Sequence, residues 1–348
     1  MGILSSIKMN FISYISEVQN NVNQRKKETR LKSLANRVRF EDIIYMNVPF
    51  LYIYQLTRSG GTFLLRSLDS HPQLLVIPGA VELMDIEEAG LEKFRRRLRK
   101  GYMEHNESGL HKWASNFEQR RIPIHFDVGW FDEIYRHYKD KGEYAAILTA
   151  FFNAWRNYQN LYGEKMYCVA HWGGNMLNID AVSGFFSRHA PGSKMIFVSR
   201  DPMDWLHSSI RLVGYDKPQK SDRGAEELLS DYISCMKNAL AVSAVVESNT
   251  SDIIIVNFEG MIRQPEETFR ALCAELGLKW DPILLQTMFN RIHQTANSSH
   301  VDSMTPAADP RVIGKGESVR KLISDTLIIE EAREVYEEVN KLAVNRSL

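Results

Sequence analysis

The chain has little cysteine, no surplus of either charge and no long apolar run. Three cysteines in 348 residues, Cys168, Cys235 and Cys273, are too few and too scattered for a disulfide framework or a metal-ligand pattern. Each sits in apolar or helical surroundings and reads as a buried free thiol, and no metal is expected. Lys plus Arg and Asp plus Glu number 43 each, so nothing global argues for nucleic acid. Any anionic ligand has to be held by a local cluster. The longest apolar runs, the one ending at Leu56 and Met195 to Val198, are strand-length, far short of the roughly 20 residues a membrane helix needs. Repeats, low-complexity tracts and Gly/Ser linkers are missing as well, which argues for one domain rather than several.

What is present starts with an amphipathic stretch. Ile3, Leu4, Ile7, Phe11, Ile12 and Ile15 recur at helical spacing and are followed by the basic QRKKETRLKS, so residues 1–45 read as a helical N-terminal arm. Such an arm packs on its own domain, packs on a sister subunit of a homo-oligomer, or lies on a membrane surface. The first fifteen residues are broken by Lys8 and Asn10 and make a poor secretory signal, so a cytoplasmic location is expected. Gly2 and Ser6 fit the short myristoylation pattern.

From residue 46 the remaining chain reads as a single α/β domain, with short apolar runs separated by helical stretches. Strands are expected over Leu51 to Leu56, Leu74 to Ile77, Met166 to Ala170, Lys194 to Ser199 and Asp252 to Phe258. The first, fourth and fifth are apolar almost throughout, as in a parallel sheet covered on both faces. Residues 82–165, with EKFRRRLRK and the aromatic-rich AAILTAFFNAWRNYQNLY, read as a helical insertion where an acceptor site could be built.

After the first strand comes Thr57-Arg58-Ser59-Gly60-Gly61-Thr62-Phe63, running into the helical pattern of Leu64, Leu65 and Leu68. Unpaired amides and the positive end of a helix converge at such a turn and make an anion site, to which Ser59 and Thr62 add hydroxyls and Arg58 a guanidinium. The nucleoside-triphosphate P-loop requires a lysine here, and there is none. A second basic element follows the fourth strand. Arg200 stands at its carboxyl end and Ser208 lies eight residues on, in a helix that Pro202 can open. Ligands of open α/β sheets bind at the carboxyl ends of strands, where both residues fall.

With these two elements the sequence resembles the sulfotransferases that use 3′-phosphoadenosine 5′-phosphosulfate (PAPS). Arg58 to Thr62 is similar to the 5′-phosphosulfate motif in the Arg-Ser-Gly-x-[ST] form of the carbohydrate and tyrosylprotein branches. Arg200 and Ser208 stand at the family's spacing for the 3′-phosphate, and IIIVNFEGMIRQPEETFRALCAELGL resembles its later strand, acidic residue, Pro and helix. The resemblance implies a P-loop-like parallel sheet flanked by helices. It also implies PAPS as co-substrate and sulfuryl transfer, without a metal, to a hydroxyl or amine of a carbohydrate, lipid, peptide or small metabolite.

The resemblance further implies roles for single residues. Arg58, Ser59, Gly60, Gly61 and Thr62 would hold the phosphosulfate, and Arg200 and Ser208 the 3′-phosphate. Phe63 stands where cytosolic members stack a Trp on adenine, although core packing accounts for a Phe there equally well. Lys315 and Ser318, in the loop from Arg311 to Lys321, stand with Ser298 and Ser299 where late cofactor contacts fall. Glu82 is the expected general base, after His71-Pro72, with His171 at the end of its strand orienting the sulfuryl group or acceptor. The Lys-Thr-His segment and Arg-Lys-Gly loop of the cytosolic branch are lacking in that form, so phenol and steroid acceptors are not implied. Two other readings compete: a phosphotransferase on a related fold, which needs a loop lysine and acidic Mg²⁺ ligands, and a nucleotide-binding protein without turnover.

Overall fold

The computed structural model describes residues 40–80, 90–99, 126–173, 179–213, 224–245, 253–293 and 309–345. Five strands, β1 (Phe50–Gln55), β2 (Leu74–Ala80), β3 (Tyr167–Gly173), β4 (Lys194–Ser199) and β5 (Ile253–Asn257), form one sheet in the order β2-β3-β1-β4-β5. Every pairing is parallel. The fold is therefore α/β with a P-loop-like sheet. All five expected strands are present within a few residues, the second and third each running three residues further than expected.

The alternation along β1 shows how the layers are made. Phe50, Tyr52 and Tyr54 enter one apolar cluster while Leu51 and Ile53 enter the other. Successive strand side chains point to opposite faces, so six consecutive buried residues serve two cores at once. On the second face lie α1 (Gly61–Leu68), through Leu64, Leu65 and Leu68, with α8 (Phe258–Arg263) and α9 (Pro265–Leu276). The first face is covered by the larger set. These helices are α2 (residues 90–99), α3 (Val128–Tyr138), α4 (Glu143–Ala154), α5 (Ile179–His189), α6 (Pro202–Val213), α7 (Ala225–Val245) and α10 (Thr326–Lys341).

Two expectations need correction. The aromatic-rich helix stops at Ala154 instead of running to Tyr162. Trp155 bridges Phe126, and the Asn160 side chain donates to the carbonyls of His71 and Leu74, both at 2.8 Å. Buried tertiary hydrogen bonds of this kind outweigh helix propensity. Helix α4 is part of the core, with every residue from Tyr144 to Phe152 buried. The first 39 residues of the arm lie outside the described ones, but its end is not α-helical. A 3₁₀ turn (Phe40–Asp42) leads to extended chain held to α4 through Asn153, which accepts from Ile44 N at 3.1 Å and donates to Ile44 O at 2.9 Å. The three cysteines are free and buried, as expected. No helix among the described residues is long and apolar enough to cross a membrane.

Candidate active site

Strand β1 lies between β3 and β4, so the loops leaving β1 and β4 emerge side by side at the carboxyl end of the sheet. The β1 loop begins with a turn closed by Ser59 N donating to Leu56 O at 3.1 Å. Arg58 occupies the left-handed region at φ 80°, which an L-residue enters only under constraint. Gly60 follows at φ 108°, and a Cβ there would lie 2.2 Å from the Phe258 ring, so the position takes only glycine. Helix α1 then starts at Gly61, whose amide donates to the side-chain oxygen of Gln55. The Ser59 hydroxyl is fully buried and makes no hydrogen bond. Thr62 and Phe63 are half-buried, and Phe63 packs against the second core.

The β4 loop carries Arg200 and Asp201 into α6. Asp201 Oδ1 accepts from the amides of Met203 and Asp204, each at 2.9 Å, and Pro202 is the first helical residue. This is an N-cap followed by a proline that needs no donor. Arg200 is 8% exposed, a charge kept inside by three contacts. Its terminal nitrogens donate to Arg58 O at 2.7 Å and Val312 O at 3.4 Å, and its guanidinium lies 4.5 Å from the centre of the Phe258 ring. Nε makes no hydrogen bond. Burial lowers the Arg200 pKa, opposed by Glu259, Asp204 and Asp201. The Arg58 side chain in turn donates from Nε to Ser208 Oγ at 3.0 Å. Arg58 thus forms one connected group with Arg200 and Ser208, which lie more than 140 residues later in the chain.

A third segment closes over these two. Both carboxylate oxygens of Asp204 accept from the late loop, from Gly314 N and Gly316 N, each at 2.7 Å. Gly316 has no room for a side chain, since its Cβ would stand 2.4 Å from Met203 Cβ. Ser318 Oγ donates to Lys315 O at 2.8 Å, so its 2.9 Å contact with His207 Nδ1 has the imidazole as donor. Lys315 and Ser318 are thereby tied to the helix that carries Ser208. Beneath them, Glu259 accepts from Asp201 N at 3.1 Å, from Tyr336 OH at 2.8 Å and from Asn257 Nδ2 at 3.0 Å. Burial raises its pKa.

The structure therefore brings together Arg58, Ser59, Gly60, Gly61, Thr62, Arg200, Ser208, Lys315 and Ser318. Glu82, Ser298 and Ser299 lie outside the described residues. His171 is inside β3 rather than at its end, 3% exposed and in register with Ile53 and Ala80. Gln55, Asp204, His207 and Phe258 escape a sequence reading, whereas Glu259 is the acidic residue of the stretch that follows β5. Of those four, only Asp204 carries a local signal, an acidic residue in the first turn after Asp-Pro; the others are placed by tertiary packing.

A glycine-turned loop at the carboxyl edge of a parallel sheet, joined to a buried arginine just past the neighbouring strand, defines an α/β protein with a candidate anion site. The chain belongs to the sulfotransferase family, whose model matches residues 49–282. No curated protein sequence matches it. Among solved structures, the sulfotransferase domain of the Synechococcus PCC 7002 olefin synthase is 16% identical, with 85% of this chain and 97% of that one covered and a TM-score of 0.50. A mouse sulfotransferase in complex with PAP is 12% identical over 84% of this chain and 83% of that one, with a TM-score of 0.39.

Proposed function

We propose that the chain transfers a sulfuryl group from PAPS to a hydroxyl or amine acceptor and releases 3′-phosphoadenosine 5′-phosphate (PAP). The observation that carries this reading is the Arg58–Ser208–Arg200 group, which joins the 5′-phosphosulfate loop to the two residues suited to a 3′-phosphate. The site fits a ligand with anionic groups at both ends. Ser59 Oγ, next in sequence to Arg58, and Arg200 Nε are buried donors without partners, and unmet buried donors of this kind call for an acceptor.

PAPS would bring a reactive phosphosulfate bond; the chain's own residues would hold and polarise it. Arg58 and the amides opening α1 would take the charge on the transferred group and on the phosphate left behind. Arg200, already desolvated, would bind the 3′-phosphate once the long contact to Val312 O yields, with Ser208 beside it. Lys315 and Ser318 would close over that end, and Phe63 would lie along the adenine. Glu82 is the proposed base, with His171 orienting the sulfuryl group or acceptor. The acceptor would be a carbohydrate, lipid, peptide or small metabolite.

Calorimetric titration with PAP and with ATP tests the nucleotide part. PAP should bind at least tenfold more tightly, because ATP lacks the 3′-phosphate, and Arg200→Ala should erase the difference. A charge-assisted contact of about 1.5–3 kcal/mol corresponds to that ratio or more. Equal affinity for the two nucleotides would overturn the assignment.

A further inference from the structure

The amide of Gly61 is the first of the helical amides that an anion would use, and in this structure it is taken. Its partner is the side-chain oxygen of Gln55, the last residue of β1. The turn from Leu56 to Gly60 runs between the two, so this hydrogen bond spans the mouth of the phosphate loop from the strand to the helix. Gln55 is 4% exposed, and a Cβ on Gly61 would lie 2.3 Å from its Cδ. The carboxamide thus fills the space beside the helix start, and glycine at 61 makes that possible. Two residues before Gly61, the Ser59 hydroxyl is fully buried without a partner, so the loop holds an unmet donor as well as an occupied one.

A carboxamide oxygen on a helix-opening amide makes the kind of contact that a phosphate oxygen makes at a helix N-terminus. We propose that Gln55 is a positioning residue that sets nucleotide affinity: its side-chain oxygen is a built-in occupant of the phosphate loop, and it leaves Gly61 N when the 5′ phosphate group binds. The proposal rests on the nucleotide reading above. Without ligand, the oxygen satisfies a buried donor. With ligand it is a competitor. Removing it therefore strengthens binding, the reverse of what removing a structural contact does.

The test is calorimetric titration of the full chain and its variants with PAP. Gln55→Ala, and Gln55→Thr as a strand-compatible side chain too short to reach Gly61, should each bind PAP about fivefold more tightly, the factor a net hydrogen bond represents. Gln55→Glu, which places a carboxylate on the same amide, should bind at least about tenfold more weakly. Opposite signs for the short variants and for Glu support the proposal. Unchanged or weaker PAP binding by both short variants, with wild type still binding through Arg200, overturns it and leaves the nucleotide reading intact. If no form binds PAP, the nucleotide reading fails, and the same titrations with inorganic pyrophosphate decide the Gln55 question: tighter binding by the short variants supports the proposal, and unchanged binding overturns it.

Discussion

Asp204 offers a way to separate the late loop from the rest of the site. It is 3% exposed and spends both carboxylate oxygens on Gly314 N and Gly316 N, each at 2.7 Å. Hydrogen bonds to a charged group are worth about 1.5–3 kcal/mol each. Gly314 and Gly316 also line an open cleft of about 460 Å³, so water would recover part of the loss. We therefore expect Asp204→Ala to destabilise the protein by about 2–4 kcal/mol, and Asp204→Asn, which keeps one acceptor, by roughly half as much. Urea denaturation reads the stability, and hydrogen exchange reads whether the amides of residues 314–318 are those that lose protection. PAP binding should fall with them, since Lys315 and Ser318 are positioned by this clamp. An Asp204→Ala protein within about 0.5 kcal/mol of wild type, the range of an ordinary surface change, would refute the reasoning.

Arg58 sits at φ 80°, so Arg58→Gly should be more stable than Arg58→Ala by about 1 kcal/mol in urea denaturation, while both lose PAP affinity tenfold or more by calorimetry. Burial raises the pKa of Glu259, so the native state holds its proton more tightly than the unfolded chain does. The stability this contributes is complete below the ordinary glutamate range and is lost as pH rises through the elevated value; Glu259→Gln should flatten that loss in urea midpoints measured against pH. Glu82→Gln should lower turnover by about 10²–10⁴-fold with PAP affinity near wild type, and full turnover in that variant with none in His171→Ala would exchange the two roles.

Much of this was legible in the sequence because the signals were local. Short apolar runs locate all five strands, and a glycine turn between a strand and a helix locates the candidate anion loop. Pro202 after Asp201 located the start of α6. The rest depends on contacts between distant segments. Nothing near Trp155 announces that its helix ends there, because the cause is a bridge to Phe126 and amide contacts from Asn160 to His71 and Leu74, 89 and 86 residues earlier in the chain. The Phe258 ring gives no sequence sign that it fills the space over Gly60 and faces Arg200. Gln55 reads as one more strand residue until its side chain is seen on Gly61. The sequence reads His171 as a strand end, whereas pairing of Trp172 and Gly173 with β1 carries β3 past it.

The most direct test of the central claim is group transfer itself. Sulfur-labelled PAPS incubated with the protein and a panel of carbohydrate, lipid, peptide and small-metabolite acceptors should yield a labelled acceptor and an equal amount of PAP, undiminished by a chelator and abolished in Arg58→Ala. No transfer from PAPS to any acceptor, together with Mg²⁺-dependent phosphoryl transfer from ATP, would contradict the account.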